Sequence, residues 1–202
     1  MVKEGGRPRS FTEAGRRRQF VGCAIEVLAD SGFAATTIQA VADRAEITKS
    51  VVLYHFRSKA ELLEAVVEQV YGEAGPVVAA ALDEASGPRE RLRVYVAACV
   101  RYAWTHRTEL RAVSEVFANL RRPDGTPRYG VAENAPMLDF VESLLRDGQE
   151  AGEFRAFAAR PMAITVRAAV DALPAAFDAD PELDGEIYAD ELATLFDRAA
   201  TA

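Results

Sequence analysis

Lys49, Ser50 and Tyr54 set an ammonium, a hydroxyl and a phenol on the outer side of one short helical stretch. Groups of this kind hydrogen-bond to base edges, and a helix that carries them fits a DNA major groove. Competing chemistry is thinner. Glu109, Glu115 and Glu142 offer general acids to a small helical enzyme, yet they are scattered at outward positions, as solvated charges are. His106 has no Ser, Cys or carboxylate at informative spacing and reads as a helix-end residue. Cys23 and Cys99, the only cysteines, lie far apart in apolar helical patterns and read as small core residues, with no disulfide or metal knuckle. Neither a cofactor nor a metal is expected.

The elements that must position the polar trio are legible around it. Thr37 is a hydroxyl cap before a short helix whose Ile38, Val41, Ala42 and Ala45 share one face. Ala45, Glu46 and Ile47 make a turn, and Thr48 caps a second helix, Lys49 to Phe56, whose Val52 and Phe56 point back at Ile38 and Val41. That is a helix-turn-helix. Upstream, Ser10 and Glu13 have capping-box spacing, and Phe20, Cys23, Ala24, Val27 and Leu28 mark a helix that Gly32 ends. Its Arg16, Arg17 and Arg18 read equally well as solvated surface or as a phosphate-facing patch. Residues 1–9 read as a flexible basic arm.

Downstream, Ser58 and Glu61 open a longer helix to about Tyr71, which Gly75 and Pro76 interrupt or kink. Further helices are expected from Pro88, from a Thr108 cap, from Ala132, from Arg160 to Phe177 and from Asp184 to Ala199; Arg121 to Gly130 reads as the most flexible loop. No stretch reads as a strand. The expectation is an all-α fold of about nine helices: an N-terminal three-helix DNA-binding unit at 10–57 and a helical body at 58–202.

Composition agrees with this division. Residues 1–59 carry 10 Lys+Arg against 6 Asp+Glu, and the remainder carries 14 against 25, within an overall net charge of -7. The basic end is the end with the motif. No apolar run approaches the roughly 20 residues of a membrane span and no apolar signal segment precedes residue 20, so a soluble, cytoplasmic chain without membrane partners is expected.

Gly32 to Thr37 (GFAATT), Ala42-Asp43-Arg44-Ala45 and Leu53 to Leu63 (LYHFRSKAELL) resemble, in order and spacing, the signature of the TetR family of bacterial transcriptional regulators. Leu144 to Arg155 is similar to a segment common in that family's body. The resemblance implies a homodimer, built on the last two helices, that grips a partly palindromic double-stranded operator and holds a small-molecule ligand in its body, most simply as a ligand-released repressor. It implies phosphate contacts from Thr37, His55 and Lys59, and base contacts from Gln39, Lys49, Ser50 and Tyr54. Tyr102, Trp104, Phe117, Met137 and Phe140 are the candidate ligand contacts, although these rings, with Phe154, also read as ordinary core. Met162, Ile164, Val166, Val170, Leu173, Phe177, Ile187, Leu192, Leu195 and Phe196 are the apolar candidates for the dimer interface. Two positions depart from the family pattern: Glu46 stands where a turn glycine is common, and Leu53 where a phosphate-contacting tyrosine is common. A DNA-associated adaptor with no inducer is the alternative; it would bind without regard to sequence.

Overall fold

A computed structural model describes residues 7–201. Ten helices follow in order: α1 (Arg7–Ala35), α2 (Ile38–Arg44), α3 (Lys49–His55), α4 (Lys59–Asp83), α5 (Pro88–Thr105), α6 (Arg107–Asn119), α7 (Val131–Glu150), α8 (Ala159–Asp171), α9 (Leu173–Ala179) and α10 (Gly185–Thr201). The fold is all-α; among the described residues the only extended pairing is an isolated bridge between Arg121 and Pro127.

Four local expectations change. Residues 1–6 of the expected arm lie outside the described residues, while 7–9 are already helical, so Ser10 lies within α1 rather than at its start. Pro76 does not interrupt α4. Gly75 before it has no Cβ to clash with the pyrrolidine ring, so the helix continues past the missing N–H. The helix expected over Arg160 to Phe177 divides at Ala172, where Pro174 enters the first turn of α9 and cannot extend the preceding ladder. Thr108 is not a cap: α6 begins at Arg107, and His106 joins α5 to α6 with its ring stacked on Tyr102 at 4.0 Å.

The loop 121–130 is a tied turn. Arg128 N–H donates to the Leu120 carbonyl, Arg128 Nε donates to Glu64 Oε1 at 2.6 Å, Arg122 pairs with Glu133, and Tyr129 stacks on Phe117 at 4.7 Å.

Two cores hold the molecule. The first joins Phe20, Leu28, Val41, Val52 and Phe56 of α1–α3 to Leu63 and Val66 of α4 and Val113 and Val116 of α6. The second gathers Tyr95, Leu145, Val166, Leu173, Phe177 and Phe196. Burying each such side chain contributes about 1.5–3 kcal/mol. Leu110 of α6 packs against both. Helix α6 therefore belongs to the head as much as to the body.

Candidate DNA-reading face and ligand cavity

The turn between α2 and α3 closes as a Schellman motif. Glu46 adopts φ 55°, Ile47 N–H donates to the Ala42 carbonyl, and Glu46 N–H donates to the Asp43 carbonyl. The left-handed residue that a glycine would supply is thus present as glutamate, and the motif keeps its geometry at a local cost of about 1 kcal/mol. Val52 and Phe56 are fully buried and fix the rotation of α3. As a result Lys49, Ser50 and Tyr54 face solvent, Tyr54 with 77% of its surface exposed. Thr48 stands at the N-cap but does not bond to the backbone of α3; its hydroxyl pairs with Ser50 Oγ at 2.9 Å.

The other members of the predicted set border this face, and several also hold the head together. Thr37 caps α2 by accepting from Ala40 N–H at 3.0 Å, and Gln39 donates to Asp43 Oδ1 at 2.6 Å. His55 is half-buried, edge-on to both Phe20 and Tyr54. Lys59 Nζ donates to the Phe33 carbonyl at 2.6 Å and lies 4.1 Å from the centre of the Phe33 ring, where burial lowers its pKa. A lysine ammonium has three donors, so Lys59 keeps others for a second partner. Arg17, left undecided by sequence, turns inward: Nη1 donates to the His55 carbonyl at 2.7 Å, and the guanidinium covers the Phe56 ring at 4.1 Å. It fixes the C-terminal end of α3 from α1. Its neighbours Arg16 and Arg18 are exposed.

The body holds a half-open cavity of about 560 Å³ between α4, α5, α6, α7, α8 and the start of α9. Tyr102, Phe117, Met137 and Phe140 line it as expected. Trp104 does not; its ring lies against Gly185, where even a Cβ would come within 2.2 Å. The close crossing of α5 and α10 accounts for that side chain. Phe154 is likewise core, pressed on Gly148. Sequence reasoning missed Tyr71, Tyr95, Arg167 and Asp171 on the wall, and read Cys99 only as a small core residue. Arg167 Nη1 donates to Tyr95 Oη at 3.0 Å, and Nη2 pairs with Asp171 one turn away. Burial pushes the Cys99 thiol up to about 11 and raises the Tyr95 phenol further, so both are neutral hydrogen-bonding groups near neutral pH. Two of the three carboxylates considered for acid catalysis are engaged elsewhere: hydrogen bonds from Arg146 and Arg160 hold Glu142 below the usual range, and Glu115 accepts from the head. No cluster of three or more His, Cys, Asp or Glu among the described residues is placed to hold a metal.

Glu115 ties α6, a helix of the cavity wall, to the head. Gly32 breaks α1 at φ +76°, leaving Phe33 N–H without a helical acceptor, and Glu115 Oε2 accepts it at 2.9 Å from α6. Ser114 and Phe117, its near neighbours on α6, line the cavity.

A core-locked helix-turn-helix fused to a helical body with an internal cavity is the plan of a DNA-binding transcriptional regulator. Residues 23–66 match the family described as bacterial regulatory proteins, tetR family. The chain is 31% identical over 157 residues to the HTH-type transcriptional activator FasR of Mycolicibacterium smegmatis, a match covering 76% of this chain and 70% of FasR. It is 28% identical over 148 residues to the transcriptional repressor KstR2 of the same organism, covering 70% and 69%. The solved structure of a tetR-family regulatory protein from Rhodococcus RHA1 superposes with a TM-score of 0.79 at 22% identity, covering 92% of this chain and 97% of that one. The chain belongs to the TetR family of transcriptional regulators. No helix among the described residues is long and apolar enough to cross a membrane.

Proposed function

We propose that this regulator is a ligand-released repressor that binds a partly palindromic operator as a homodimer. In this reading the 10–57 head inserts α3 into a major groove, with Gln39, Lys49, Ser50 and Tyr54 toward bases and Thr37, His55 and Lys59 toward phosphates. The observation that carries the regulatory part is the hydrogen bond from Phe33 N–H to the Glu115 carboxylate. It ties a helix of the cavity wall to the DNA-binding head, so a change at the wall bears on the head's position. FasR is named an activator and KstR2 a repressor, and the repressor reading takes the simpler physical route, occlusion of a site by a bound dimer.

The dimer reading rests on α8 and α10. Ile164, Ile187 and Leu195 are 51%, 65% and 59% exposed. Two other expected groups are corrected: Val166, Leu173, Phe177 and Phe196 fill the body core and Val170 lines the cavity, while Met162 and Leu192 stay partly exposed. The available interface is narrower than the sequence pattern and centres on the exposed trio.

The test is selection of bound duplexes from a random library at physiological salt. A palindromic site with half-sites at regular spacing is expected. Lys49→Ala and Tyr54→Ala should then relax preference at particular positions, about 1–3 kcal/mol each. Binding with no sequence preference would refute the operator reading and favour the adaptor.

A further inference from the structure

The charges in the cavity wall cancel within the wall. Arg167 and Asp171 are its two charged residues, one turn apart on α8 and paired with each other, and the guanidinium also holds Tyr95 Oη at 3.0 Å. The other polar wall groups are uncharged: Ser114 already donates to the Leu110 carbonyl at 2.9 Å, and Asn134 is an amide. Around them the wall is aliphatic and aromatic, with Tyr71 parallel to Phe117 and Tyr95 tilted on Phe140. No buried side-chain nitrogen or oxygen among the described residues lacks a hydrogen-bond partner.

This arrangement discriminates by charge. An anion entering it must take the buried Arg167 from Asp171, whose carboxylate stands half exposed at the edge of the cavity, and so gains one ion pair only by breaking another while facing that carboxylate. A cation must take Asp171 and leave the buried guanidinium unpaired. Either exchange breaks the wall's ion pair and exposes a like charge to the ligand, and the cation's exchange also strands the buried guanidinium, which is costly. A neutral molecule disturbs neither. The paired cluster can still recognise it, because Arg167 has five N–H donors and the carboxylate has spare lone pairs, which suit one hydroxyl or carbonyl oxygen.

Taking the cavity as the effector site of the proposed function, we propose that the effector is a neutral, predominantly apolar molecule carrying a single oxygen function at the Arg167–Tyr95–Asp171 cluster. The volume fits a ligand of ordinary small-molecule size.

The experiment uses the full chain with the neutral dye Nile red bound, and measures its displacement by decanol, decanoate and decyltrimethylammonium, which share an alkyl chain and differ in head charge. Decanol is expected to displace the dye at concentrations roughly tenfold or more below either ion. Asp171→Asn, which frees Arg167, should shift preference toward decanoate by a similar factor, and Tyr95→Phe should weaken decanol. Equal or tighter binding of either ion to the unmodified chain overturns the proposal, with no variant needed, and so does a failure of Nile red or decanol to bind. Operator binding is measured separately. Decanol that binds without changing operator affinity defeats the regulatory reading and leaves the ligand class standing; an ion that binds tightly and releases DNA does the reverse.

Discussion

Replacing Glu115 by alanine tests the connection between cavity and head. The carboxylate accepts Phe33 N–H at 2.9 Å at the break that Gly32 makes in α1, while Lys59 holds the carbonyl of the same residue at 2.6 Å. A hydrogen bond to a charged acceptor contributes about 1.5–3 kcal/mol, and the partial exposure of this one favours the lower figure. For a chain of this size 1 kcal/mol moves the melting temperature by about 2–4 °C, so Glu115→Ala should melt roughly 3–6 °C lower. Glu115→Gln keeps an acceptor oxygen without the charge and should recover about half of that loss. The functional effect follows from linkage. Typical coupling between two sites is about 1–3 kcal/mol, and a latch worth about 1.5 kcal/mol is a large share of it. The ratio of operator affinities without and with a cavity ligand should therefore shrink by roughly tenfold in Glu115→Ala. Calorimetry gives the first quantity, and fluorescence anisotropy of a labelled operator gives the second. A variant that melts with the native chain and keeps the full ligand effect would refute the latch.

Three further outcomes are expected. The native chain should sediment as a dimer at micromolar concentration, and the double change Ile187→Glu with Leu195→Glu should give a monomer that retains helical circular dichroism. Glu46→Gly should raise stability by up to about 1 kcal/mol, because relief of the left-handed strain exceeds the entropy that glycine adds to the unfolded chain; a lower melting temperature would show that the Glu46 side chain contributes something its backbone does not reveal. Asp197 is buried on α10, and hydrogen bonds from Arg89, at 2.7 and 2.9 Å, hold its carboxyl below the usual range. A lowered folded value contributes stability above the unfolded Asp value of about 3.9 and loses it as pH falls through the folded one, so Asp197→Asn should melt roughly 2–6 °C lower at neutral pH, with the gap closing below about pH 4.

The head was legible because its signals are local. Thr37 caps α2, Val52 and Phe56 turn α3, and Ser58 accepts from Glu61 N–H at 3.1 Å, each within a few residues of its partner. What the sequence concealed is the second use of charged side chains. Arg17 meets the His55 carbonyl across 38 positions, Glu115 meets Phe33 across 82, and Arg89 meets Asp197 across 108. Periodicity carries no information about such pairs. The cavity was half legible for a similar reason: aromatic spacing marks an inner face but does not separate a ring on the cavity wall, such as Phe117, from one packed on a backbone, such as Trp104 against Gly185. Arg167 and Asp171 carried a usable signal, an i,i+4 charge pair in the otherwise apolar second half of α8.

On the proposed reading, the long-range geometry gives a cavity ligand two handles on the head. One is α6 with its latch. The other is α4, which has its first turns in the head core and its Ala74, Gly75 and Val78 on the cavity wall. Helix α4 is weakest at that level, since Pro76 lacks an N–H for the carbonyl four residues back and Gly72 and Gly75 have no side chain to stiffen it. From Gly75 to Lys59 a helix spans about 24 Å at the usual rise of 1.5 Å per residue, so a tilt of about 10° at Gly75 carries the Lys59 end through roughly 4 Å. In a dimer both heads move, and major grooves on one face of DNA recur about every 34 Å, so paired displacements of this size are enough to spoil the register. On the proposed reading, a small change at the wall needs no rearrangement of either core to reach α3: α4 is placed to amplify it, and the Glu115 bond to set how much of it α1 follows.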